Sequence, residues 1–150
     1  QIGNKKYYLG DDGVMVTGKQ TIDGVVYYND SKGTNTDASI KAIKAMSRPT
    51  LLIAGGYDKN SPYDDFIESF DGKIKELVLI GATAEKIKAC ALEHGFTNIK
   101  MADSLEEAVS ICKADSENGD AVLLSPACAS WDMFKSYEQR GRLFKDLVKG

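Results

Sequence analysis

The sequence has few of the residues that build metal centres, disulfide frameworks or membrane spans. It contains three cysteines, one histidine and one tryptophan in 150 residues. Cys90, Cys112 and Cys128 form no Cys-x-x-Cys pair, which argues against a zinc site or a disulfide framework and fits a reducing cytosol. No apolar run is long enough to cross a bilayer, and no charged-then-apolar segment opens the chain. We therefore expect a cytoplasmic protein with no membrane association and no metal ligands.

Motifs that bind nucleotide phosphates are also missing. The chain has neither a Gly-x-x-x-x-Gly-Lys-Ser/Thr loop nor a Gly-x-Gly-x-x-Gly fingerprint. Its formal net charge of −3 provides no basic surplus for binding a nucleic acid. A hydrophobic content of 43% is sufficient for the packed core of a single domain. These features predict a globular domain that binds no nucleic acid and does not hold ATP phosphates by itself.

Short apolar runs alternate with helical patterns through most of the chain. Ser104 and Glu107 form a capping box, and Gly95 marks a helix end. This alternation predicts an α/β fold with a mainly parallel, doubly wound sheet and helices on both faces. The expected strands are 25–29, 50–54, 76–80, 98–101 and 120–124, and the expected helices are 36–46, 62–70, 83–94, 105–114 and 130–149, the last broken at Gly141.

The first 24 residues differ in composition from the rest. They are rich in Gly, Tyr and Asp, and Tyr7-Tyr8 recurs as Tyr27-Tyr28. This segment resembles the cell-wall-binding repeats of the choline- or glucan-binding type, but one repeat cannot bury its own apolar face. Physically it reads as an N-terminal β-hairpin segment, with Asp23-Gly24 as a turn signal between 19–22 and 25–29. We expect a repeat-like segment at 1–24, joined naturally or artificially to a domain at 25–150.

Three polar segments each follow a short apolar run. They are Asn29–Asn35, Gly55–Ser61 and Ser125–Phe134. In a parallel α/β sheet, ligands bind in the crevice outside the carboxyl ends of the strands. Because all three segments are expected at that edge, we predict that they form one site.

In order and spacing, these three segments and the Tyr137–Gly141 run resemble the C-terminal domain of the Mur ligases. The resemblance covers about residues 22–150 and is greatest to the family member that adds D-glutamate. Members that add a diaminoacid carry an Asp-Asn-Pro-Arg motif, which this chain lacks. The resemblance implies a Rossmann-like α/β fold and a role in peptidoglycan synthesis.

The resemblance also implies roles for individual residues, none of them a catalytic nucleophile. The family joins a carboxylate to an amine with ATP, so its domains work by positioning and charge neutralisation. The implied nucleotide-facing residues are Asp30 and Lys32, and the implied D-glutamate-binding residues are Thr34, Lys59, Ser130, the backbone of Trp131, and Tyr137. In the full-length enzyme, ATP and Mg are held by a central domain and UDP-N-acetylmuramoyl-L-alanine by an N-terminal one. We therefore expect this chain to bind neither cofactor alone and to be inactive in isolation.

Simpler interpretations of the same residues stay open. Asp30 could end a strand in an ordinary turn, Ser130 could only cap a helix, and His94 fits a structural position at a helix end. The competing functions are a cell-wall polysaccharide-binding module fused to an α/β domain and a small nucleotide-binding or regulatory domain of unrelated function.

Overall fold

The computed structural model describes residues 20–22, 24–29, 36–56, 62–125 and 137–149. Within them, strands and helices alternate as the sequence predicts. The strands are β1 (Gln20–Ile22), β2 (Val25–Asn29), β3 (Thr50–Ala54), β4 (Ile74–Leu79), β5 (Ile99–Met101) and β6 (Ala121–Leu124). The helices are α1 (Thr36–Ala45), α2 (Asp64–Glu68), α3 (Ala84–Glu93), α4 (Leu105–Asp115) and α5 (Tyr137–Lys149).

The six strands form one sheet in the order β1-β2-β6-β3-β4-β5. Strands β2 to β6 run parallel, and only β1 is antiparallel, paired with β2 at the edge. The last strand, β6, inserts between β2 and β3, so strands distant in sequence are neighbours in space. This arrangement confirms the prediction of an α/β fold with a mainly parallel, doubly wound sheet.

Both faces of the sheet are covered by helices. Along β3, Leu52 and Ala54 pack with α1, α2 and α3 on one face. The alternate residues, Leu51 and Ile53, pack with α4 and α5 on the other face. All five residues of β3 are buried, as is typical of a central parallel strand covered on both sides.

The antiparallel hairpin at the sheet edge forms as predicted. Ile22 pairs with Val25 across the turn, and Gly24 has a positive φ of 78°. Tyr27 is buried and Tyr28 is half-buried, so both aromatics of this strand pack against the core. Residues 1–19 and Asp23 of the repeat-like segment lie outside the described residues, and the predicted division at 24/25 stays a prediction.

Two helix ends follow their local signals. Ser104 Oγ accepts a hydrogen bond of 3.0 Å from the Glu107 amide, which confirms the N-cap of α4. The Glu107 carboxylate accepts from the amide of Asp103, one residue before the cap. Gly95 follows α3 with a φ of 83°, a conformation that glycine adopts without steric cost.

Other boundaries differ from the predicted ones, and Gly141 is the clearest case. The prediction of a helix break at Gly141 is wrong, because α5 continues through it from Tyr137 to Lys149. A glycine inside a helix costs about 1 kcal/mol relative to alanine, which packing elsewhere can offset. Gly141 is buried, and its carbonyl accepts a hydrogen bond of 2.8 Å from the side chain of Asn29. A hydrogen bond between β2 and α5 therefore joins the two elements at this glycine.

Candidate functional site at the carboxyl edge of the sheet

The three polar segments follow three adjacent strands that end at the same level. In the register of the sheet, Asn29 of β2 pairs with Leu124 of β6, and Leu124 pairs with Ile53 of β3. Neighbouring strands lie about 4.8 Å apart, so the three strand ends span roughly 10 Å. The segments that begin at Asn29, Gly55 and Ser125 therefore start side by side on one edge.

The side chains expected to bind ligands lie beyond these starting points. Six of the seven predicted residues, and the side chain of the seventh, lie outside the described residues. These are Asp30, Lys32, Thr34, Lys59, Ser130 and Trp131, together with Tyr137, the first residue of α5. Their convergence on one pocket therefore stays a prediction.

A buried pair of serines links the elements that flank the first and third segments. Ser125 Oγ donates a hydrogen bond of 2.9 Å to Ser39 Oγ, and Ser39 Oγ donates one of 3.2 Å to the Ser125 carbonyl. Both residues are fully buried, although 86 positions separate them in sequence. Ser39 belongs to α1, which follows the first segment, and Ser125 begins the third. The pair therefore fixes these two parts of the edge relative to each other.

The second segment begins in a turn that only glycine can occupy. Gly55 has a φ of 113°, and a Cβ atom placed on it would lie 2.0 Å from the carbonyl oxygen of Ile80. Gly56 donates from its amide to Thr83 Oγ1 at 3.0 Å, and the Thr83 amide donates back to the Gly56 carbonyl at 3.1 Å. The sequence predicted Thr83 as the start of α3, which is confirmed. Its hydroxyl accepts the hydrogen bond from Gly56 and makes no capping hydrogen bond to its own helix.

The third segment leads into α5, which carries a buried cation close to the sheet. The side chain of Arg140 is 1% exposed, although a buried charge is costly without polar partners. Its neighbour Gly141 accepts the hydrogen bond from Asn29 at the end of β2. The contacts of Ser39 and Thr83 and the burial of Arg140 were not predicted from the sequence, because they depend on residues far apart in the chain. Ser39, Thr83 and Arg140 have one feature in common, since each is a polar residue that the fold buries.

The described part of the edge does not fit a nucleotide phosphate. A phosphate loop uses glycine so that backbone amides can approach the anion. Here the space beside Gly55 is filled by the Ile80 backbone, and the Gly56 amide is already bonded to Thr83. The Gly55-Gly56 turn therefore fixes the path of the chain and leaves neither the Gly56 amide nor the space beside Gly55 free for a phosphate.

A carboxyl group with a raised pKa lies inside the fold, on β4. Glu76 is buried, and burial, followed by its hydrogen bond with Asp115, raises the pKa of its carboxyl group above the ordinary value. Lys100 opposes this shift from 3.5 Å. The second carboxyl oxygen of Glu76 has no hydrogen-bond partner. This group joins β4, β5 and α4, so we treat it as structural.

Among the residues that the structure describes, no helix is both long enough and apolar enough to span a bilayer.

The fold is a doubly wound α/β domain, and the level ends of β2, β6 and β3 form one candidate edge for ligand binding. The family described as "Mur ligase, glutamate ligase domain" matches residues 15–128, well over half of the chain. The chain belongs to the Mur ligase family, and it corresponds to the C-terminal domain of that family. The match begins ahead of β1, so it includes the edge hairpin.

Relatives at high identity share one name, UDP-N-acetylmuramoylalanine–D-glutamate ligase. The protein of this name from Lachnospira eligens is 60% identical over 128 residues, which cover 85% of this chain and 28% of the relative. That from Lachnoclostridium phytofermentans is 62% identical over 125 residues, covering 83% and 28%. That from Clostridioides difficile is 52% identical over 129 residues, covering 86% and 29%. The chain therefore spans less than a third of the length of these relatives.

Solved structures with lower identity share the fold. A UDP-N-acetylmuramoyl-L-alanyl-D-glutamate–2,6-diaminopimelate ligase superposes with a TM-score of 0.61 at 13% identity, covering 95% of this chain and 33% of that one. A domain from a putative Mur-type ligase of Haemophilus ducreyi superposes with a TM-score of 0.54 at 13% identity, covering 89% of this chain and 98% of that one. At this identity, the likeness supports the fold alone.

Proposed function

We propose that this chain supplies the D-glutamate-binding half-site of an ATP-dependent ligase that adds D-glutamate to UDP-N-acetylmuramoyl-L-alanine. In this reaction ATP phosphorylates the carboxylate of the alanine, and the amine of D-glutamate attacks the acyl phosphate. An amide bond forms, and phosphate leaves. The domain's task is to hold the incoming amino acid so that its amine meets the acyl phosphate, which is catalysis by positioning.

The observation that carries this proposal is the level alignment of Asn29, Leu124 and Ile53. It starts the three segments within about two strand spacings of one another, close enough for their side chains to share a small ligand. The shared name of the relatives supports D-glutamate as that ligand, since they match this chain at 52% to 62% identity.

The residue types suit a dicarboxylate. The ammonium group of Lys59 would pair with one carboxylate, and the hydroxyl groups of Thr34 and Ser130 would donate directional hydrogen bonds. The backbone amide of Trp131 adds a donor, and Tyr137 adds an aromatic wall. Asp30 and Lys32 would face the nucleotide.

ATP and Mg would be held by other parts of a full-length ligase. The Gly55-Gly56 turn does not offer a phosphate cradle, because it is closed by Ile80 and Thr83. The isolated chain should therefore neither hydrolyse ATP nor form the amide bond. The same proposal gives the full-length ligase a cytoplasmic location. Its partners would be D-glutamate, UDP-N-acetylmuramoyl-L-alanine and ATP.

A chimeric ligase tests this function directly. Residues 15–150 of this chain would replace the matching segment of the Lachnospira eligens ligase, and phosphate release and product would be measured with each candidate amino acid. We expect ligation that requires D-glutamate and ATP, with a KM for D-glutamate raised at least tenfold by Lys59→Ala.

The matched control is Lys41→Ala, which removes an exposed lysine from α1 and should leave the KM unchanged. A folded chimera that ligates a different amino acid, or that is indifferent to Lys59, would contradict the assignment of D-glutamate to this domain.

A further inference from the structure

A second cluster of reactive side chains lies on the helical face formed by α2 and α3. Asp64, Cys90 and His94 each offer one donor atom, and these three atoms all lie within 4.8 Å of one another. His94 Nε2 is 2.9 Å from Asp64 Oδ1, and Cys90 Sγ is 3.6 Å from the same oxygen. The thiol, the imidazole and the carboxylate therefore already face a common point.

Local structure explains this convergence. Cys90 and His94 are four residues apart at the end of α3, and residues at this spacing share one face of a helix. Asp64 is the first residue of α2, which packs against α3. His94 lies just before the segment that leads into β5. The cluster is therefore built by elements other than the three segments of the carboxyl edge.

We propose that Asp64, Cys90 and His94 form a binding site for a divalent transition metal of the zinc type. Zinc takes thiolate, imidazole and carboxylate ligands at about 2.0–2.3 Å, which places tetrahedral donor atoms roughly 3.2–3.8 Å apart. The separations of 2.9 Å and 3.6 Å from Asp64 Oδ1 need to change by at most a few tenths of an ångström to meet this range. The separation between the Cys90 and His94 donor atoms is no more than 4.8 Å and would close to the same range around the ion. A thiolate and a carboxylate also balance the two positive charges of the ion.

The surroundings of His94 support a metal-binding role. Its second ring nitrogen, Nδ1, lies 3.9 Å from the carboxylate of Glu68. Metal-bound histidines commonly donate their other ring N–H to a carboxylate, which fixes the ring and strengthens the ligand. A cavity of about 310 Å³ adjoins this side and is lined by Glu68, Phe70, His94 and Phe96, among others. The cavity leaves room for a water molecule or another exogenous ligand in the fourth position.

A metal here would join α2 to α3 and compete with protons. Burial, with the nearby charge of Asp64, raises the pKa of the Cys90 thiol to about 11, and the hydrogen bond to Asp64 raises the pKa of His94. Binding at neutral pH must therefore displace the proton of the Cys90 thiol. No metal ligands were expected from the sequence, because it contains no Cys-x-x-Cys pair. Asp64 also belongs to α2, whereas Cys90 belongs to α3.

The test is a titration of the full chain with Co²⁺ at about pH 8, followed by displacement with Zn²⁺. Tetrahedral Co²⁺ bound to a thiolate gives visible d–d bands and a sulfur-to-metal charge-transfer band in the near ultraviolet. We expect one ion per chain, loss of the charge-transfer band in Cys90→Ser, and at least tenfold weaker binding in Asp64→Asn and His94→Gln. Zn²⁺ should raise the melting temperature of the unaltered chain, and a chelator should reverse this rise.

Matched controls separate this site from other metal-binding groups. Asp65→Asn alters the adjacent exposed carboxylate, and Cys112→Ala and Cys128→Ser alter the other two thiols; each should leave the bands and the affinity unchanged. Circular dichroism would verify that every variant is folded. Absence of the bands, or a charge-transfer band that survives Cys90→Ser and disappears with Cys128→Ser, would overturn the proposal. The outcome is independent of D-glutamate binding, so neither result decides the proposed function.

Discussion

The backbone of Gly55 lies so close to that of Ile80 that a Cβ atom on Gly55 would sit 2.0 Å from the Ile80 carbonyl oxygen. Gly55 follows β3, and Ile80 follows β4, so this contact sets how the second polar segment leaves the sheet. The atoms that a Cβ on Gly55 would meet belong to the Ile80 backbone, so no change of side-chain rotamer could relieve the clash.

Gly55→Ala should therefore destabilise the domain by about 3 kcal/mol or more, because both the clash and the positive φ are costly. Gly72→Ala is the matched control, since Gly72 also has a positive φ of 75° but has open space around its Cβ position. The control should cost only about 1 kcal/mol. Urea unfolding would measure both variants, and equal losses would show that the Ile80 contact is unimportant.

Thr83→Val should cost about 1–3 kcal/mol in the free energy of unfolding, because it leaves the buried Gly56 amide without its acceptor. Thr83→Ser keeps the hydroxyl group and should lose less. If the two variants were equally stable, the hydrogen bond to Gly56 would not be what holds the turn.

The Ser39 and Ser125 hydroxyl groups should be energetically coupled. A double-mutant cycle with Ser39→Ala, Ser125→Ala and the double variant should give a coupling energy of about 0.5–1.5 kcal/mol, since either single change removes the bond between the two hydroxyl groups. Additive losses would indicate that the two parts of the edge are fixed independently.

Much of the fold could be predicted because its signals are local. Ser104 caps α4 and Gly95 ends α3 through contacts within a few residues, and apolar runs specify buried parallel strands. Gly141 was misjudged because its neighbour across the fold, Asn29, is 112 positions away. From local sequence alone a glycine favours a helix break, but Gly141 lies inside α5 and its carbonyl accepts a hydrogen bond from Asn29.

The candidate site could likewise be predicted only in part from the sequence. The segments beginning at Asn29, Gly55 and Ser125 could be placed on one edge, since each follows a strand, and the register brings those strand ends level. The residues that hold the segments, such as Ser39 and Thr83, could not be found, because their partners depend on the order of the strands. His94 was expected to serve its own helix end, yet its ring contacts Asp64 on a different helix.

Glu76→Gln should stabilise the protein at neutral pH by about 1 kcal/mol or more, because it removes a buried charge that has one unpaired oxygen. Burial and Asp115 raise the pKa of Glu76 in the folded state, and Lys100 offsets only part of this; the Cys112 thiol also faces the group. At Glu76 the folded state therefore binds more protons than the unfolded state. The contribution of this group to stability should fall as the pH rises from about 4.5 through its folded pKa.

The advantage of Glu76→Gln should accordingly be large at pH 7 and nearly absent at about pH 4, where the carboxyl group is protonated in both states. Urea unfolding at several pH values would measure it, with Glu106→Gln as an exposed control on α4. A stability difference independent of pH would mean that the charge on Glu76 is not the cause.

The proposed D-glutamate half-site is tested most directly by titrating the isotopically labelled chain with free D-glutamate and monitoring the amide chemical shifts. We predict millimolar binding, corresponding to about −4 kcal/mol, with shifts clustered at Thr34, Lys59 and Ser130-Trp131. The shifts should weaken in Lys59→Ala and for L-glutamate, and they should persist in Lys41→Ala. Shifts scattered over the surface, equal for both enantiomers and indifferent to Lys59, would contradict a D-glutamate half-site in this domain.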